Sequence, residues 1–105
     1  MWKSELSPGH RWLIETMQRI AYGRIEDQHI RHGEPVQEPP PRLICEHRLL
    51  GPWQPPKPLR LRDYLVKRQV EILLAELRRM DTGVVTIEVQ EGLPFRISWE
   101  IPVRT

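Results

Sequence analysis

The residues best placed to do chemistry lie in the first half of the chain, where His29-x-x-His32 is followed by Cys45-x-His47. Together they supply four nitrogen or sulfur donors, enough for a tetrahedral zinc site. Neither short spacing matches the common zinc knuckles. An alternating strand would put Cys45 and His47 on one face with no metal needed. The expectation is ordinary strand and turn residues, with no cofactor.

A second candidate is Pro52-Trp53-Gln54-Pro55-Pro56-Lys57, which fits the proline-x-x-proline-x-basic pattern that docks in aromatic grooves. A stiff connector with Trp53 packed on the domain explains the same string. Lys57, Arg60, Arg62, Lys67 and Arg68 follow, and with Arg42 and Arg48 they would build an anion-facing patch on which Trp53 could stack a base. A solvated helix start accounts for these charges equally well. Catalytic chemistry has less to draw on. Glu26 and Asp27, or Glu88 and Glu100, are what an exposed strand carries, and no serine or cysteine sits in a nucleophile motif. No phosphate loop or dinucleotide fingerprint occurs, so the chain reads as non-enzymatic.

Composition narrows the class. The 105 residues fit one domain spanning 1–105, and 39% apolar with 29% charged residues suits a soluble globular protein. Nothing approaches a membrane span. The start, Met1-Trp2-Lys3-Ser4-Glu5, has no secretory apolar core, and Cys45 is the single cysteine, so a cytoplasmic location is expected. Net charge is only +2, so any nucleic-acid binding must come from a local patch. Thirteen of the sixteen basic residues are arginine, which favours planar, bidentate contacts.

The elements that would position these groups are well punctuated. Ser7 as N-cap, Pro8 in the first turn and Gly23 as a left-handed stop predict a helix over about residues 8–22. Its apolar stripe is Leu13, Met17 and Ile20. A second helix, from about Arg62 to Asp81, presents Val66, Val70, Leu73, Leu77 and Met80. Val84 to Gln90 then alternates as a strand, Glu91-Gly92 turns, and Phe95, Ile97, Trp99, Ile101 and Val103 mark a return strand with Pro102 at an edge. Arg24 to Arg31 is a poorer strand with a bulge expected near Asp27 to His29. Its return is interrupted by Pro39-Pro40-Pro41 and resumes as Arg42 to Leu49.

These two descriptions are versions of one unit. Leu13, Arg19 and Gly23 recur sixty places later as Leu73, Arg79 and Gly83; after a one-residue deletion, Gly33 and Pro35 recur as Gly92 and Pro94. The reading is an α+β two-layer sandwich built from a duplicated helix plus β-hairpin unit, with about four antiparallel strands and two helices on one face. Unit one is 7–50, a proline-rich connector 51–58 and unit two 59–105.

The segment Ile72 to Met80 with Thr82-Gly83-Val84-Val85-Thr86-Ile87-Glu88-Val89-Gln90-Glu91-Gly92 resembles the small bacterial YezD-like domain of unknown function. The resemblance covers about a quarter of the chain and departs from that domain's pattern at Leu93-Pro94-Phe95. Ile20 to Glu26 with Gly33-Glu34-Pro35-Val36 resembles short uncharacterised bacterial proteins. The resemblance implies a fold and brings no catalytic residue.

The functional expectation is a small interaction module that binds another protein or itself, with a nucleic-acid-binding accessory role as the alternative. The residues expected to carry it are Arg24, His29, Arg31 and His32 on the polar first-half strand, and Trp53, Arg60 and Arg62 in and after the connector. A sheet edge left open for strand addition is a further expected surface.

Overall fold

A computed structural model describes residues 6–47, 49 and 68–102. The connector 51–58, Trp53, Arg60, Arg62 and the expected first turns of the second helix lie outside the described residues.

Helix α1 runs Pro8–Ile20. Ser7 is its N-cap, with extended backbone and a hydroxyl that accepts from the His10 N–H at 3.1 Å. The helix stops earlier than Gly23 suggests. Ala21 takes the positive φ of 66° and its N–H closes on the Met17 carbonyl. Helix α2, Arg68–Met80, ends the same way on Asp81 at φ 68°.

Gly23 is instead the second residue of strand β1, Tyr22–Arg31. At φ 147°, a Cβ there would lie 1.9 Å from the Ile44 carbonyl oxygen, so only glycine lets the neighbouring strand approach. The residue that looks like a helix stop is a strand contact.

Five antiparallel strands form one sheet among the described residues, rather than about four. Strand β1 turns through His32-Gly33, both at positive φ, into β2, Glu34–Val36. The proline run then lifts the chain off the sheet. It returns as β3, Arg42–Cys45, on the same edge of β1 but at its other end: His29 faces Val36 in β2, while Gly23 faces Cys45 in β3. In the second half β4, Gly83–Gln90, turns through Glu91-Gly92 into β5, Leu93–Ser98. The order is β2-β1-β4-β5, with β3 also beside β1.

The central pair, β1 with β4, carries the bulge. Ile25 pairs with Ile87 and Gln28 with Val85, and the register slips between them, where Asp27 has φ 56°. The slip changes phase, so Ile25, Gln28 and Ile30 all face inward despite breaking strict alternation. This is why β1, the longest strand among the described residues, reads poorly as sequence. Equivalent positions pair across the centre: Arg24 with Glu88 is answered by Val84 with His29, and Gly23 with Val89 by Gly83 with Ile30. The register is therefore symmetric about the middle of the β1–β4 ladder.

Both helices cover one face. Leu13, Met17, Leu74 and Leu77 pack with Ile25, Ile30, Val85, Ile87 and Val89 in a single core. Burying each of the larger side chains contributes about 1.5–3 kcal/mol.

Candidate protein interface

The first-half residues expected to bind a partner are spread along β1. Arg24, near the β3 end, is held by carboxylates: its Nε donates to Glu26 Oε2 at 2.5 Å and its Nη1 to Glu46 Oε1 at 2.6 Å. Arg42 donates to Glu26 and lies 3.3 Å from Asp27, while Arg96 meets Glu88 at 3.3 Å. The hydrogen bond from Arg24, aided by the charges of Arg24 and Arg42, holds the Glu26 carboxyl below its ordinary pKa; the same hydrogen bond raises that of Arg24. The helix-free face of the sheet is a lattice of matched charges.

His29 is half-buried between Val36 and Val84. Arg31 and His32 are exposed at the far end, where His32 Nδ1 stands 4.0 Å from Asp81. Because β2 and β3 sit at opposite ends of β1, His29 and Cys45 are held apart. Among the described residues no three His, Cys, Asp or Glu side chains gather as a metal ion would need.

At the other edge, β5, lies an apolar surface whose residues the sequence reading did not single out. Phe95 is 52% exposed, Trp99 43%, Ile101 77% and, on the adjoining turn of α2, Ile72 53%. Ile72 and Phe95 border a groove of about 280 Å³ between α2 and β5, floored by Leu73, Pro94 and Ile97. Arg96 lies over the Phe95 ring, 5.7 Å from its centroid. A signal was available: Ile72 falls outside the α2 apolar stripe, and an apolar residue off its stripe has no core to face.

The equivalent place in the first half is closed. Trp12, sixty places before Ile72, packs against the core. Next to it His10, only 3% exposed, sets Nε2 2.9 Å from the Gly33 carbonyl and 3.3 Å from Glu34 Oε2, while the Ser7 hydroxyl donates to Glu34 Oε1 at 2.6 Å. This polar clasp ties α1 to β2. The second half has Val70 and Leu93 where the first has His10 and Glu34.

Comparisons of the chain with protein-family models, with curated proteins and with solved structures give no significant match in any of the three. No described helix is long and apolar enough to cross a membrane.

Proposed function

We propose that this chain is a small non-enzymatic interaction module that binds protein through the face formed by α2 and β5. The observation carrying the reading is the contrast between the halves: one fold position is sealed by Trp12 and a buried polar clasp, the other leaves Ile72 and Phe95 exposed around one groove, with Trp99 and Ile101 exposed further along the chain. Aromatic and aliphatic side chains at the rim of a shallow groove are the composition of an interface centre. The likeness of the second half to a YezD-like domain supports an origin by duplication, after which one copy's face closed and the other's stayed open.

The alternative, nucleic-acid binding by an arginine-rich patch, rests on Lys57, Arg60, Arg62, Lys67 and Arg68 with Arg48, since Arg42 of that patch is already matched to carboxylates. The test is a tagged pull-down at moderate salt with and without nuclease, using the native chain beside Phe95→Asp. A stoichiometric protein that survives nuclease and is lost with Phe95→Asp supports the module. Partners that vanish with nuclease and weaken steeply with salt replace it with the alternative.

A further inference from the structure

We infer that the partner for this face is a second copy of the chain, joined edge to edge through β5 in antiparallel register about Ser98. The inference rests on the reading of the α2–β5 face as an interface and names its occupant.

The first argument is the edge itself. β5 is the last strand of the sheet, and among the described residues no strand pairs with its outer side. Natural edges are blunted by charge, bulges or brevity, and β5 has a single bulge, at Phe95 near its start, which leaves Arg96 to Ser98 in regular register with β4. Here the edge carries Phe95 and Ile97, and the chain runs on through Trp99 and Ile101, both exposed.

The second argument is self-complementarity. An isologous contact sets residue i against j and j against i, so a strand that pairs with its own copy must match itself read backwards. The run Pro94-Phe95-Arg96-Ile97-Ser98-Trp99-Glu100-Ile101-Pro102 does so. With Ser98 on the axis, Ile97 faces Trp99, Arg96 faces Glu100, Phe95 faces Ile101 and Pro94 faces Pro102. Every apolar residue meets an apolar one, each charge meets its opposite twice by symmetry, and the prolines, which donate no ladder bond, mark both ends. Moving the centre one residue either way, to Ile97 or Trp99, sets Arg96 against Ser98 or Pro102 and loses the charge match.

The third argument is sidedness. Ile97 packs toward the core. β5 ends at Ser98 in the single chain; pairing with a second copy would extend it, and alternation would then carry Trp99 and Ile101 to the same side as Ile97, and Arg96, Ser98 and Glu100 to the charged side. A twofold axis perpendicular to the sheet keeps the helices of both copies on one side. It extends the sheet continuously and brings the two Ile72–Phe95 grooves toward each other, covering apolar surface on one side while Arg96 and Glu100 pair on the other. Arg96 already leans on Glu88 of its own chain, so the Glu100 of the second copy extends an existing row of alternating charge.

The experiment is sedimentation equilibrium of the full chain as the wild type, Arg96→Glu, Glu100→Arg and the double exchange. The wild type is expected to be dimeric at about 100 μM. Each single exchange sets like charges across the axis twice and should weaken the dimer at least about tenfold, whereas the double exchange restores the match across the axis and, although it sets two carboxylates together at the Arg96–Glu88 pair, should dimerise at least about threefold more tightly than either single. A restored double variant also shows that the single variants were not simply misfolded. A monomeric wild type, or a double exchange no tighter than the singles, overturns the inference. If the wild type is monomeric but a nuclease-resistant protein is still lost with Phe95→Asp, only the identity of the occupant fails. If Phe95→Asp alters neither association nor capture, the interface reading fails with it.

Discussion

Gly33 donates its backbone N–H to the carbonyl oxygen of Asp81 at 2.7 Å. The reciprocal bond runs from the Gly92 N–H to the Ala21 carbonyl at 2.9 Å, so each hairpin turn caps the end of the other half's helix. Carbonyls that the left-handed residues Ala21 and Asp81 turn away from their own helices are satisfied across the molecule. The two halves are bound at their turns as well as along the central ladder.

Substitution at these turns should therefore cost more than a surface loop would suggest. Both glycines have φ 76°, where an added Cβ costs about 1–2 kcal/mol. At Gly33 that Cβ would also stand 3.1 Å from the Arg78 Cα, against 3.5 Å from the Gln18 Cα at Gly92. Gly33→Ala should lower the urea midpoint more than Gly92→Ala, and equal shifts would refute the contact argument.

The polar clasp predicts a non-additive pair. His10→Phe leaves the Gly33 carbonyl without its side-chain donor and removes the contact to Glu34 Oε2, and should cost about 2–3 kcal/mol. Ser7→Ala removes the helix cap and a bond to Glu34, about 1 kcal/mol. Since both act on Glu34, the double variant should lose less than the sum in a double-mutant cycle.

Acid should loosen the charged face of the sheet. Glu26 is held below its ordinary pKa in the fold, so its contribution is complete above the ordinary glutamate value and is lost as pH falls through the lowered one. Glu26→Gln should be less stable than the wild type near neutrality and converge with it in acid. Denaturant midpoints measured from about pH 6 to about pH 3 check this, and a constant difference would count against it.

Much of the fold is legible because it rests on local rules. Ser7 and Pro8 announce α1, the alternation after Gly83 announces β4, and Glu91-Gly92 announces its turn. The extra residue in the first half shows as the bulge at Asp27. What is not legible depends on neighbours distant in sequence. Gly23 reads as a helix stop until Ile44 is known to lie against it. His10 reads as one more polar helix residue until Gly33 and Glu34 close over it. The exposed apolar surface of this edge was obscured for a related reason: Phe95, Trp99 and Ile101 have the alternation of a half-buried strand, and only the packing shows which of them the core leaves uncovered. The polar residues of β1 drew attention by type, yet Arg24 is matched within its own sheet.

The β1–β4 ladder also bears on how the chain reaches this structure. β1–β2 and β4–β5 are joined by two-residue turns and can close early, whereas Ile25 and Ile87 lie far apart in sequence and meet late. The rate-limiting event should be the meeting of two preformed hairpins, each with its helix nearby. Because closure entropy rises only with the logarithm of loop length, doubling the residues between β3 and α2 should add only about 0.6 kcal/mol to the cost of that meeting. The central ladder can thus tolerate a large sequence separation between its partners while the two outer turns must stay short.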